Sequence, residues 1–383
     1  MNETLHPALL PLGFADLLPP LARIEASVVA RLVAALESHG YERVKPPLIE
    51  FEDNMLSGAG AAMARETFRL MDPISQRMIA LRADVTTQVA RIAATRLAKA
   101  PRPLRLSYAG QVLRARGSEI RPERQVGQVG AELIGSDSVA ADVEVISIAA
   151  EALQILGIAD LSVDLTLPTL VPAVTAALGV AETARDRLRA ALDHKDVAAV
   201  AAVGGGAAEI LRKLIASAGA AETALAALDA LPMPSPADAE RARLREVVTA
   251  LYGALPSLRV TVDPVENRGF EYHTGISFSF FARGSRVELG RGGRYRTGNG
   301  EGENATGVTL YSDTILRVLP EQSAPRRLYL PWGTGPNEAR RLREEGWITV
   351  AGLAPVPDAA AEALRLDCGH RLEGGKIVGS ARS

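Results

Sequence analysis

Between Gln125 and Gly135 the chain reads as a β-strand. Side chains two apart share one face of a strand, so Gln128, Gly130 and Glu132 fall in line. Val126 and Ile134 extend that face at either end. A row that runs apolar, polar, bare, polar, apolar fits two surroundings. One is a pocket wall, where the glycine leaves room for a small ligand and its neighbours exchange hydrogen bonds with it. The other is the solvated face of an edge strand. The sequence leaves both open, although the apolar flanks point to at least partial burial.

The segments around this strand alternate between helical and extended periodicities. Pro19-Pro20 opens a helix with Ile24, Val28, Leu32 and Leu36 four residues apart, and Gly40 closes it. Short extended pieces follow at 41–44 and 48–51, then a β-hairpin from 68–71 and 77–81 around Asp72-Pro73-Ile74-Ser75. Asp84 is placed to cap a second helix carrying Val85, Val89 and Ile92, and Pro101 and Pro103 end it. A strand over 104–115 and a charged loop over 116–124 lead into the strand at Gln125, and a helix spans 139–156. Residues 169–252 are alanine-rich and predict a helical insertion broken by Gly204-Gly205-Gly206 and by Pro232, Pro234 and Pro236. Strands return at 258–262 and 276–281, and a glycine-dense stretch from Gly290 to Gly302 precedes a last helix near Leu316. The main domain is expected to span 1–320. The tail, 321–383, alternates strand and helix as a small α/β unit.

Composition restricts what such a chain does. At 383 residues it has room for two or three domains, and 43 Lys+Arg against 45 Asp+Glu supply no global basic field for nucleic acid. One cysteine, Cys368, and five scattered histidines exclude an internal disulfide and give no zinc spacing. The opening residues lack the charge of a signal peptide, and charges interrupt every apolar run short of a membrane span. A cytoplasmic protein without membrane contact, metal or cofactor is expected.

Two further segments carry candidate chemistry. In 267–275, Arg268 is suited to gripping a carboxylate or phosphate with two parallel hydrogen bonds, and a surface salt bridge is the alternative. Gly290-Arg291-Gly292-Gly293-Arg294-Tyr295 suggests either a phosphate cradle or a flexible hairpin tip, but no Walker or Rossmann pattern accompanies it. No Ser/His/Asp or Cys/His arrangement supports nucleophilic catalysis.

Taken in order, the motifs resemble the catalytic core of histidyl-tRNA synthetases and, especially, their non-synthetase paralogues, the regulatory subunits of ATP phosphoribosyltransferase. Leu12-Gly13-Phe14-Ala15-Asp16-Leu17-Leu18-Pro19 resembles the family's opening, and Leu81-Arg82-Ala83-Asp84-Val85-Thr86 its Leu-Arg-Pro-acid-x-Thr element. Tyr108-Ala109-Gly110-Gln111-Val112-Leu113-Arg114 with Gln128-Val129-Gly130-Ala131-Glu132 resembles class II motif 2 and its following strand. The segments 268–275 and 292–295 resemble the two histidine-specific motifs.

The resemblance implies an α+β class II synthetase-like core, a mainly antiparallel sheet flanked by helices, with the helical insertion and a small C-terminal α/β domain like a shortened anticodon-binding domain. It implies that Asp84, Thr86, Gln128, Glu132, Arg268, Tyr272, His273 and Tyr295 surround L-histidine, with His273 where synthetases usually carry tyrosine. Arg114 is the implied contact for a phosphate or other anion. The ATP half departs from the synthetase pattern. Leu113-Arg114-Ala115-Arg116 replaces Phe-Arg-x-Glu, and Thr314 stands where the ATP-binding arginine belongs. The resemblance therefore implies a non-catalytic subunit that joins a short-form ATP phosphoribosyltransferase catalytic subunit in a hetero-oligomer, a hetero-octamer, dimerises through its own core, activates its partner and conveys histidine feedback. A divergent aminoacylating enzyme is the alternative, and a histidine-binding module with unrelated partners is a third.

Overall fold

The computed structural model describes residues 8–56, 63–118, 121–266, 272–298, 302–321 and 324–380, and the chain divides into units 1–320 and 321–383. The first unit opens with helix α1 (Leu21–Ser38), which buries Val28, Leu32, Val33 and Leu36 and ends before Gly40, where φ is +81° and a side chain would be strained. After β1 (Glu42–Arg43) come β2 (Ile49–Phe51), α2 (Glu52–Met55), β3 (Arg69–Met71) and β4 (Met78–Leu81). The expected hairpin is present as β3 and β4, and β2 joins β4 on its other side to make a small three-stranded sheet.

Helix α3 (Thr86–Thr95) leads to β5 (Leu104–Leu113) and β6 (Gln125–Ile134), which pair antiparallel over their whole length. Helix α4 (Val139–Ile155) starts where Ser138 accepts a hydrogen bond from the Ala141 amide, and β7 (Ser162–Thr166) follows. The alanine-rich segment folds as expected into helices: α5 (Leu170–Ala177), α6 (Glu182–Asp193), α7 (Val197–Val203), α8 (Ala208–Ala216), α9 (Ala221–Asp229) and α10 (Ser235–Ala254), with a two-residue strand, β8 (Gly219–Ala220), among them. Their apolar faces, with Leu170, Leu192, Leu211 and Leu244, merge into the same core as the sheet. Strands β9 (Arg259–Asp263), β10 (His273–Phe281), β11 (Gly290–Arg296) and β12 (Asn304–Tyr311) and helix α11 (Ser312–Val318) complete the unit.

Among the described residues the main sheet has nine strands in the order β1-β5-β6-β12-β11-β10-β7-β9-β8. Only β1 with β5 and β7 with β9 run parallel, so the expected mainly antiparallel sheet is what forms. Its two faces differ. Val129, Ala131, Leu133, Val308, Leu310, Phe278 and Phe280 pack under the helices into the large core. The opposite face combines Leu106, Tyr108, Val126, Ile134 and Tyr295 with Val85 and with Val89 of α3. The run 290–295 is neither a phosphate cradle nor a hairpin tip. It is β11, held between β10 and β12. Glycine is required there by close packing, since a Cβ at Gly292 would lie 2.1 Å from Gly307 O and 2.6 Å from the Phe278 ring.

The second unit contains β13 (Arg327–Leu330), α12 (Pro336–Glu344), β14 (Ile348–Ala351), α13 (Ala359–Arg365), β15 (His370–Glu373) and β16 (Lys376–Gly379). Its sheet order is β14-β13-β15-β16, with β13 parallel to both neighbours and β15–β16 an antiparallel pair. Asp358 accepts from the Ala360 and Ala361 amides and caps α13.

Candidate functional site

The row predicted on β6 is a wall inside the molecule. The edge-strand alternative fails because β6 lies between β5 and β12, and Gln128 and Glu132 are buried. Five of the predicted residues, Thr86, Glu132, Tyr272, His273 and Tyr295, come together with Arg291, Gly293, Gly307 and Thr309 around a small, narrow pocket. Helix α3 supplies Thr86. The central strands β6, β10, β11 and β12 supply the rest, apart from Tyr272 just before β10. In β11 the two-residue period places Arg291, Gly293 and Tyr295 on the pocket side.

Glu132 is the chemical centre. It has no solvent exposure, and its Oε2 accepts a hydrogen bond from Tyr295 Oη at 2.8 Å. Tyr108 Oη stands 3.5 Å from Oε1 and shares hydrogen bonds with Thr309 Oγ1 at 2.7 Å and Thr86 Oγ1 at 3.2 Å. Burial pushes the Glu132 carboxyl up to about 8; hydrogen bonds from Tyr295 and Thr86 pull it back in part, and the charge of Asp84 adds to the rise. Near neutral pH Glu132 is therefore mostly protonated, and a cation or a hydrogen-bond donor placed against it favours the carboxylate.

The linkage gives a pH prediction. The folded protein binds this proton more tightly than the unfolded chain, so the contribution of Glu132 is most favourable below pH 4.5 and is lost as pH rises towards 8. Stability of the ligand-free protein is expected to fall by up to about 1.4 kcal/mol per pH unit across that window from this group. Glu132→Gln, which cannot ionise, should remove the slope in chemical denaturation series. An unchanged slope would show that Glu132 is ionised throughout.

Tyr272 and His273 close the other side. Their ring centroids are 4.1 Å apart, and Tyr272 meets Tyr295 edge-on at 6.2 Å. Burial raises the pKa of Tyr272, as it does that of Tyr295, where Glu132 adds to the effect, so both present neutral hydroxyls. The ladder between β10 and β11 is irregular between His273 and Ser277, and a Cβ at Gly293 would lie 2.6 Å from the His273 ring. A bare position beside His273 is thus what lets its ring lie against β11.

Two expectations are corrected. Asp84 does not cap α3. Val85, with φ −89° and ψ −29°, occupies the cap position already in helical conformation, and its N–H donates to Gln128 Oε1 at 3.1 Å. Gln128 Nε2 in turn donates to Asp84 Oδ1 at 2.9 Å. Both ends of the Gln128 amide are thereby used inside the chain, where they fix Asp84 and the start of α3. Nor does Gly130 leave room for a ligand: a Cβ there would lie 2.3 Å from Tyr108 Oη and 2.5 Å from Val308 O. The space belongs to Tyr108, so Gly130→Ala is expected to destabilise the protein by about 1–3 kcal/mol through overpacking, read as a lowered midpoint in denaturant.

Arg268 lies outside the described residues. Thr309 lines the pocket and was passed over by the sequence reading, while Arg291 and Tyr108 were quoted there only within longer segments, with no role beside Glu132. Burial opposes the charge of Arg291, but Tyr311, Glu288, Tyr272 and Asp84 more than offset it and raise its pKa. Arg114 lines a different depression, with Glu66 3.7 Å away. Thr314 is buried and accepts from the Arg121 guanidinium at 3.2 Å. Among the described residues no group of acidic, histidine or cysteine side chains forms a metal centre, and no helix is long and apolar enough to cross a membrane.

Comparison with known proteins agrees with the fold. Residues 13–315 match the histidyl-tRNA synthetase family. An ATP phosphoribosyltransferase regulatory subunit of Rhodospirillum centenum is 59% identical over 97% of this chain and 96% of its own. A solved structure from Bacillus halodurans C, described as an ATP phosphoribosyltransferase regulatory subunit/histidyl-tRNA synthetase, superposes with a TM-score of 0.80 at 25% identity over 93% of this chain and 96% of its own. The histidyl-tRNA synthetase of Nostoc sp. PCC 7120 shares the fold, with a TM-score of 0.80 at 18% identity over 95% of this chain and 91% of its own. The chain belongs to the histidyl-tRNA synthetase family and, within it, to the ATP phosphoribosyltransferase regulatory subunits.

Proposed function

We propose that this protein is the histidine-sensing regulatory subunit of a short-form ATP phosphoribosyltransferase, acting in the cytoplasm on the first step of histidine biosynthesis. It activates the catalytic subunit within a hetero-oligomer, a hetero-octamer built on a homodimer of this chain, and returns it to low activity when L-histidine binds. It has no catalytic activity of its own. The observation that carries the reading is the buried Glu132–Tyr295 pair, braced by Tyr108, which offers a carboxylate and a hydroxyl to the nitrogens of an imidazole or ammonium group. Buried polar atoms of a ligand need such partners, since each one left unmatched costs about 1–3 kcal/mol. Thr86, Tyr272 and His273 surround the ligand, Asp84 held by Gln128 supplies a second carboxylate near it, and Arg268 takes its carboxylate. The names of the relatives support the partner, and Thr314 and Arg116 support the absence of adenylate formation.

Feedback requires that histidine bind the active and inhibited assemblies unequally, typically by about 1–3 kcal/mol. The aminoacylating alternative is tested by histidine-dependent exchange of pyrophosphate into ATP. No exchange above background is expected from the protein alone, and robust exchange would overturn the reading. On size exclusion with its cognate catalytic subunit, the protein should shift to a larger hetero-oligomer, and two independent peaks would contradict the assembly.

A further inference from the structure

The chain that leaves β9 returns at Tyr272 and His273, which line the pocket, and the helical insertion grips the start of that connection at two points. Lys195, between α6 and α7, places Nζ 2.6 Å from Asp263 Oδ2 at the end of β9. Asp263 Oδ1 accepts from the Val265 amide at 3.2 Å and fixes the turn out of the strand. Val265 is buried in turn, and it lines a cleft with Val171 and Pro172 of α5 and Leu188 and Leu192 of α6. Among the described residues the Asp263 carboxylate has these two hydrogen-bond partners, so Lys195 is the side chain that holds it.

Lysine is an unusual choice at that place. Its φ is +53°, the left-handed conformation that glycine adopts without strain, and its amide donates to Leu192 O at 2.9 Å where α6 ends. Glycine would end the helix at lower cost, and strain of this kind persists where the side chain is needed. What lysine adds is an ammonium for Asp263. Their hydrogen bond raises the Lys195 pKa against the opposing effect of burial, and the charges of Asp263, Glu266 and Asp164 add to the rise.

Asp263 also ends a row of cross-strand neighbours on the pocket face of the sheet, which runs through Thr166, Ser277, Gly293 and Gly307 to Glu132. A Cβ at Gly293 would lie 2.8 Å from Ser277 Oγ and 2.6 Å from the His273 ring, so this row is tightly packed where it meets the pocket. The Thr166 and Ser277 hydroxyls between the two ends are buried without hydrogen-bond partners among the described residues, and neither ties Asp263 in place.

We propose that Lys195 is a positioning residue for the pocket: through Asp263 and Val265 it sets where the chain delivers Tyr272 and His273, and it thereby couples the helical insertion to the bound ligand. The inference rests on the pocket binding histidine. Lys195 does not itself line the pocket, so its effect is transmitted. Coupling is reciprocal, and histidine should steady the junction of α6 and α7 in return.

Lys195→Gly tests this in the full chain, because it removes the ammonium and relieves the left-handed backbone together. Its denaturant midpoint should stay close to the parent's, while calorimetry shows histidine binding weakened about three- to tenfold. Lys195→Arg keeps the cation and should restore most of the affinity. In hydrogen exchange, saturating histidine should protect the amides of 191–200 in the wild type and leave them unprotected in Lys195→Gly. Equal affinities of the wild type and Lys195→Gly would overturn the proposal, as would exchange at 191–200 indifferent to histidine. Weakened binding that Lys195→Arg fails to restore would assign the effect to the backbone instead of the ion pair and overturn it too. A folded wild type that binds no histidine would overturn the reading of the pocket, and this inference with it.

Discussion

Glu132→Ala is expected to weaken L-histidine binding about 100-fold, the equivalent of about 3 kcal/mol, the upper end for a hydrogen bond to a charged group. Among the described residues the carboxylate is the one acidic group lining the pocket, and it is fully buried and oriented by Tyr295. Among the described residues the pocket's remaining polar side chains, the hydroxyls of Thr86, Tyr272, Tyr295 and Thr309, the His273 ring and the Arg291 guanidinium, offer no second carboxylate in its place. The fold should survive. Truncation leaves a cavity and frees Tyr295 Oη, but it also removes a carboxyl that burial disfavours in its charged form. Arg268→Ala should weaken binding as well. Calorimetry on folded variants decides the matter, and unchanged affinity in both would mean that histidine binds elsewhere.

The largest effect on stability is expected at the other face of the sheet. Asp142 of α4 is almost fully buried. Its Oδ1 accepts from Arg294 Nε and the Arg294 terminal nitrogen at 3.1 and 2.8 Å and from Thr306 Oγ1 at 2.7 Å, while Oδ2 accepts from Arg243 at 2.8 Å. One carboxylate therefore ties α4 to β11, β12 and α10. Asp142→Ala leaves Arg294, itself buried, without a counter-charge, and removal of one partner from a buried pair typically costs about 3–5 kcal/mol. A denaturant midpoint far below that of the parent is expected. Arg243→Ala, whose partner keeps Arg294 and Thr306, should cost much less. Equal, small losses in both would show that the cluster is not what joins the helix to the sheet.

Much of this architecture was legible because it depends on local patterns. Residues 19–40 announce α1 through apolar spacing and a glycine stop. What escaped depends on tertiary packing. The run 290–295 is composed like a loop, yet it forms a central strand because Phe278, His273 and the backbone of β12 come too close for side chains at its glycines. Strands β7 and β15 and the eight-residue β12 also went unread, and with β12 went Thr309. Asp84 shows the limit of a local rule. A cap position fits it in sequence, but Gln128, more than forty residues away, takes over the helix start and leaves Asp84 turned towards β6. Five of the eight histidine contacts implied by resemblance meet in one pocket, while Tyr108 was quoted only as part of a motif, because nothing in the strand's alternation reveals that its hydroxyl reaches Glu132.

The central claim is that this chain senses histidine on behalf of a catalytic partner. The most direct measurement is the rate of phosphoribosyl-ATP formation by a cognate short-form catalytic subunit, alone, with this protein, and with this protein plus L-histidine. The account predicts activation by the wild-type protein that histidine reverses, and activation by the Glu132→Ala variant that persists at histidine concentrations sufficient to silence the wild type. A rate indifferent to the folded protein, or histidine inhibition undiminished in Glu132→Ala, would contradict it.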